Sequence, residues 1–337
     1  GDHTTIQSAI DAMSANSLSP ILIFVKNGKY VGHVDIPANK PYIHLIGQSK
    51  DGVIISDNRL SGDAEGQPNY HVSQGATVVV NSANCYFENI TFENSWGYEK
   101  QAGPQALAMY ANNDRIIFNN CAMRSYQDTY LTSTKNIGDR QYLKNCHIEG
   151  AVDYIYGGGD IFFDECTLFN TRPSGGYIVA PSHKEGTAWG YVFSNCIIDR
   201  NAGVVTYLGR PWKDAPKTLF LNARCIVDVY PAGWYYRMGA IPAIFADYGT
   251  MDKDGNPVDL SHRIEDYEYD SSGTTIKGKA KKSLTDEEAA QYTLENVLQG
   301  SDDWNPVKMI ESVAAPQVEI NGNILSWAKV DYAINYI

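Results

Sequence analysis

The chain has 337 residues, 43% hydrophobic and 20% charged, enough apolar side chain to bury a sizeable core in one large domain or two ordinary ones. Its 27 basic residues against 39 acidic ones give a net charge of -12, which argues against nucleic acid or an anionic membrane as a partner. No run of 18 apolar residues occurs, and the six cysteines form neither a CxxC nor a zinc-spaced set with histidine, so a membrane-spanning helix and a structural zinc are excluded. The chain opens at Gly1 without a charged-then-apolar leader, so its compartment is not legible from a signal segment.

In chain order, Thr4 to Ala15 predicts a short amphipathic helix with Ile6, Ile10 and Met13 on one face, of the kind that caps a solenoid. Short β-branched runs follow at Ile21–Val25, Tyr42–Ile46, Val53–Ile55 and Thr77–Val80, and read as strands. Lys26 to Tyr30 and Pro37 to Pro41 read as turns between them.

A degenerate repeat then takes over: FENITF (87–92), FNNCAM (118–123), LKNCHI (143–148), FDECTL (163–168), FSNCII (193–198) and, more loosely, LNARCIV (221–227). The anchors Ile90, Cys121, Cys146, Cys166, Cys196 and Cys225 are spaced by 31, 25, 20, 30 and 29 residues. Such irregular spacing rules out a rigid helical repeat and fits short strands joined by loops of variable length, a parallel β-helix in the all-β class. The cysteines then form an inward ladder of small apolar side chains, with Cys146 and Cys166, on the shortest coil, a candidate disulfide.

Two aspartates lie seven residues past consecutive cysteines, Asp128 after Cys121 and Asp153 after Cys146. Stacked coils would hold them about 4.8 Å apart. Two carboxylates that close cannot both ionise, so one pKa should rise and the other fall. Arg210, in the loop Tyr207–Trp212, could keep one ionised as a nucleophile, leaving its neighbour as general acid. A glycosidase also uses two carboxylates, but Gln105 and Gln127 are neutral donors suited to an oxyanion, which favours acyl transfer. No G-x-S-x-G elbow is present. Tyr98, Tyr126 and Trp189 are further aromatic candidates for a cleft, and Gly157–Gly159 reads as a turn rather than a phosphate loop.

Beyond Tyr230, Phe245 to Ile264 reads as a polar wrapping segment. A helix is predicted from Thr285, its N-cap, to about Leu298, with Gly300 as the stop. The domains so read are a β-helix over 1–311, a linker over 312–316, and over 317–337 the start of a fibronectin type III-like module with an Asn-Gly turn at 321–322.

Five blocks, GPQALA (103–108), YQDTYL (126–131), AVDYIYG (151–157), LGRPW (208–212) and PAGW (231–234), resemble in order the signature blocks of the pectin methylesterases. That resemblance implies a right-handed parallel β-helix and a carbohydrate esterase that removes the C6 methyl esters of homogalacturonan without a metal or cofactor. Carried over, it implies Asp153 as nucleophile, Asp128 as acid then base, Gln105 and Gln127 as oxyanion donors and Arg210 as the partner of Asp153. It further implies Trp212 and Trp234 as sugar platforms, with Tyr154 and Tyr130 as other substrate contacts. Departures from the family pattern are Tyr130-Leu131 where Leu-Tyr is usual, and tyrosines at 154 and 156 where phenylalanine is usual. The expected protein is a monomer acting on pectin outside the cytoplasm, of bacterial source, with neither nucleic acid nor membrane as partner. The competing expectations are a polysaccharide lyase or polygalacturonase on the same scaffold, or a non-catalytic carbohydrate-binding β-helix.

Overall fold

The computed structural model describes residues 2–310 and 316–328. By internal contacts the chain divides into two units, residues 1–304 and 305–337. The first is a parallel β-helix of three sheets with nine, eight and eight strands, each strand pairing with its equivalent one coil away. Sheet A runs from Ile21–Val25 to Ile244–Tyr248, sheet B from Gly28–Val31 to Arg224–Cys225, and sheet C from Val34–Ile36 to Asp228–Val229. The helix Ile6–Ala12, capped by Thr5, turns Ile6, Ala9 and Ile10 into the end of the core.

The repeat maps onto the corner between sheets A and B. Residues 89, 120, 145, 195 and 222 are asparagines with φ between 48° and 55°, and Glu165 takes the same place at 52°. Asparagine tolerates the left-handed region better than other side chains, so each coil turns its corner at low cost. The next residue points inward: Ile90, Cys121, Cys146, Cys166 and Cys196 are at most 1% exposed. Asn195 and Asn222 share the corner position, and Ile198 pairs with Cys225, so the sixth inward anchor is Ala223 rather than Cys225. The aromatic residues three before these anchors stack up the core, Phe163 on Phe193 at 4.2 Å and Phe193 on Phe220 at 4.5 Å. Each such pair adds about 0.5–1.5 kcal/mol beyond area burial.

All six cysteines are free thiols, Cys146 and Cys166 included, which corrects the disulfide expectation. In-register stacking points the Cys146 and Cys166 side chains the same way, and each of these two thiols donates instead to a carbonyl of the preceding coil, Cys146 to Phe118 and Cys166 to Leu143, both at 3.4 Å.

Other expectations shift. Gly28–Val31 is a strand, not part of a turn, because it pairs with Val53–Ser56. Ile244–Tyr248 is the ninth strand of sheet A and opens the predicted wrapping segment. Asp266–Ser271 and Thr274–Lys279 form an antiparallel hairpin the sequence did not announce. The predicted C-terminal helix is two: Asp286–Ala289, with the Thr285–Glu288 capping box, and Leu294–Leu298, which restarts on its own N-cap, Thr293. Arg140 binds this end back, donating to the Leu298 and Gln299 carbonyls and bridging Asp114 and Asp302.

In the second unit, Val318–Asn321 pairs antiparallel with Ile324–Trp327 around Gly322 and Asn323, so the turn falls one residue later than expected. Most of the predicted linker (312–315) and the module's end (329–337) lie outside the described residues.

The corner geometry generates a stability prediction. Between residues 89 and 222 Glu165 is the one corner that is not asparagine, and its side chain is exposed, paired only with Lys144, which keeps Asp164. Glu165→Asn should raise stability by about 0.5–1 kcal/mol, and Asn145→Ala should lower it by about 1 kcal/mol, in urea melts.

Candidate active site

The site lies on the outward face of sheet C, where the chain departs twice from regular strand geometry. Gln127 pairs with Val152 and Tyr130 with Ile155, so Asp128 and Asp153 occupy the same place on adjacent coils. Both have positive φ, 62° and 50°. Next to Asp153 the pairing slips: Val152 faces Tyr177 but Ile155 faces Val179, so two residues, Asp153 and Tyr154, span one partner. Such a bulge re-aims side chains. Here Tyr154 and Ile155 both enter the core, and Tyr156 returns to the outer face.

Arg210, just past the strand Val205–Gly209, clamps Asp153 with two parallel bonds, Nε to Oδ1 at 2.8 Å and Nη2 to Oδ2 at 2.5 Å. The other side of its guanidinium rests 4.2 Å from the centre of the Tyr177 ring. A bidentate contact on one side and a ring on the other fix the arginine as a rigid counter-charge.

Burial lifts the pKa of both aspartates. For Asp128 the lift is large: desolvation is joined by the charge of Asp153, against weaker lowering by the Tyr156 hydroxyl and by Arg210. For Asp153 desolvation also raises the pKa, but the bonds and charge of Arg210 pull it back. The expectation that one pKa would fall is therefore corrected, since burial outweighs the arginine. The order survives: Asp153 ionises first, and Asp128 holds its proton longer.

Gln105 and Gln127 flank the pair, with Ala106 N–H donating to the Gln127 carbonyl at 3.1 Å. Two glycines admit their side chains. A Cβ on Gly62 would sit 2.3 Å from Gln105 Oε1, and one on Gly103 would sit 2.8 Å from Gln127 Oε1. The hydrogen bonds among the described residues use neither side-chain amide as donor, so both remain available to a ligand. Among the described residues no group of three or more His, Cys, Asp or Glu is placed to hold a metal ion, and no helix is long and apolar enough to cross a membrane.

The aromatic expectations divide. Trp212 stays partly exposed on the rim, 5.6 Å from Tyr156 and beside an outer apolar patch with Tyr110 and Leu131. Trp234 is 1% exposed and stacked on Phe245 at 4.3 Å; it pairs with Gly209 in the inward column, so it closes the core and cannot be a platform. Tyr130 and Tyr154 are fully buried and correct the remaining substrate-contact expectations. Tyr130 is turned inward because Leu131, not Tyr130, shares a register position with outward Tyr156. Its hydroxyl is spent on Gln141, and that of Tyr154 on Asn170. Trp189 packs on Tyr292. The sequence reading missed Tyr177, though carrying the coil register one step past Val152 reaches it.

Comparison with known proteins bears on this geometry. The family model described as Pectinesterase matches residues 1–301. A pectinesterase of Petunia integrifolia is 30% identical over 319 residues, covering 90% of this chain and 78% of its own. The chain spans about half the length of several Arabidopsis thaliana relatives, such as one named probable pectinesterase/pectinesterase inhibitor 6. Among solved structures, the pectin methylesterase from carrot superposes with a TM-score of 0.72 at 23% identity over 88% of this chain and 90% of that one, a likeness of fold. A pectin methylesterase in complex with a hexasaccharide gives 0.67 at 26% identity over 90% and 94%.

Arg210 lowers the pKa of both aspartates, Asp153 more directly. Removing it by Arg210→Ala should move both limbs of the pH profile of kcat/KM upward, the acid limb further, with a rate loss on the order of 10²-fold. An acid limb that stays in place would show that Asp153 does not set it.

Proposed function

The chain belongs to the pectinesterase family, and on that premise we propose that it hydrolyses the methyl esters of pectin through an acyl-enzyme on Asp153. One observation carries this reading: an arginine-clamped carboxylate one rung from a carboxyl group that keeps its proton, with two uncommitted amides beside them.

Ionised Asp153 adds to the ester carbonyl, and the Gln105 and Gln127 amides donate to the developing oxyanion. As the intermediate collapses, the bond to the methoxy oxygen breaks and the Asp128 proton passes to it, releasing methanol. An anhydride between galacturonate and Asp153 is left. Asp128, now a carboxylate, takes a proton from water, whose oxygen attacks the galacturonyl carbonyl of the anhydride. Asp153 is freed with its charge, and Asp128 regains its proton for the next cycle. Arg210 keeps Asp153 ionised and aimed, and Trp212 offers a ring to a neighbouring sugar.

The substrate is a wall polymer, so the work lies outside the cytoplasm. We extend the reading to a monomer of bacterial source whose residues from 317 begin a fibronectin type III-like module behind a linker at 312–316. The trailing module supports that source. Chain-cleaving alternatives are disfavoured by the acyl-transfer layout of the amides, and a purely binding role by the intact carboxyl pair.

Asp153→Asn, which suits the positive φ better than alanine, should cut methanol release by on the order of 10⁴-fold or more while circular dichroism stays native. Unchanged turnover, or chain scission without methanol, would overturn the assignment. Charge makes a second prediction: a protein of net charge -12 should bind anionic pectate more weakly than methylated pectin at low salt. Inhibition by pectate should therefore strengthen as salt screens the repulsion, up to about 0.2 M. Equal inhibition constants at low and high salt would contradict it.

A further inference from the structure

One column of sheet C runs in register from Gln127 to Val152, Tyr177 and Tyr207. Thr206 pairs with Val229, which brings Tyr207 beside Tyr230 on the next coil. The rings of Tyr177 and Tyr207 stack at 5.6 Å with 14° between planes, and those of Tyr207 and Tyr230 at 4.2 Å with 25°. Tyr235 closes edge-on against Tyr177 and Tyr207 at 5.6 and 5.5 Å. All four are partly exposed. Because the rings face one another along the helix axis, their faces are spent on each other and on Arg210, and their edges are what solvent meets. Other tyrosine hydroxyls on the β-helix are tied down, that of Tyr30 to the Lys26 carbonyl, that of Tyr142 to Asp164 and that of Tyr154 to Asn170. Among the described residues none of these four hydroxyls has a hydrogen-bond partner on the protein.

A stack held together by its rings needs no hydroxyls, since phenylalanine would serve, as it does in the interior stack Phe163–Phe193–Phe220. We propose that this tyrosine column is a polysaccharide-binding rail that extends the active site toward the C-terminal end of the β-helix. Phenol hydroxyls recurring at about the 4.8 Å coil spacing meet the hydroxyl and carboxyl groups of successive uronate residues. The rail covers the coils of Tyr207 and Tyr230, beyond the one that carries Arg210's contact with Tyr177. It starts from the same column as Gln127, so a glycan chain whose ester lies against that amide continues over it. The proposal rests on the reading of the site as a pectin esterase.

The test is the double variant Tyr207→Phe/Tyr230→Phe, which keeps the stack and removes only two hydroxyls. With Asp153→Asn as background, calorimetry measures binding of methylated oligogalacturonides of three and of eight or more residues. The rail predicts that the longer fragment binds about 3- to 10-fold more weakly to the double variant, with a much smaller change for the trimer. In the active protein, the ratio of kcat/KM between long and short fragments should fall by a similar factor, mostly through KM. Unaltered affinity for the long fragment, or an equal loss for both lengths, overturns the rail. If the unsubstituted protein releases no methanol, the esterase reading fails, while the calorimetric comparison still decides whether the column binds uronate chains.

Discussion

The constraint beneath the whole site is that parallel strands in register put equivalent residues one rung apart. Asp128 and Asp153 obey it, and the proximity is not negotiable by side-chain rotation alone, because backbone pairing on either side fixes it. At a separation of about 4.8 Å and an effective dielectric constant of about 20, two full charges repel by roughly 3–4 kcal/mol. Arg210 relieves one carboxylate, and a retained proton relieves the other. The proposed division of labour between nucleophile and acid is thus a way of making the stacking tolerable. The two positive-φ positions and the bulge after Val152 are local departures gathered where a strict strand would have sent every second side chain into the core.

Much of this was legible in the sequence because a β-helix writes its register as a repeat. The distance from each cysteine to its aspartate, equal on two successive coils, located the pair before any coordinates did. The asparagine preceding the inward anchor was on view too, although its role as corner residue is stated only by the backbone angles. The looser sixth repeat misled: its cysteine drew the alignment two residues past the true inward anchor, Ala223, because residue type was weighted above the corner asparagine.

What stayed hidden concerns which way a ring points. Trp234, Tyr130 and Tyr154 sit within or beside signature blocks, and adjacency to a catalytic residue suggested the groove. In a strand, however, one step along the chain exchanges inside for outside, and a bulge exchanges them again. Tyr154 is inside because of the bulge at Asp153, Tyr130 because Leu131 holds the outward place, and Trp234 because it caps the column over Gly209. Long-range matters were equally beyond local reading: Arg140 meets Asp302 across 162 residues, and the break between the two C-terminal helices reflects a second cap at Thr293 competing with continuation.

The uneven coil lengths have a consequence for how such a protein can change. Register is enforced at the strands and at the asparagine corners, whereas the connections between sheets answer to no such rule. The sequence can therefore grow or shrink by whole loops, as its spacings of 20 to 31 residues record, without sliding one aspartate past the other. An added residue between the corner at Asn145 and Asp153 is different, since it would turn the Asp153 carboxylate to the wrong side of its sheet. Grafted loops would be accepted around the rim, while this eight-residue stretch must keep its length for the molecule to remain an enzyme.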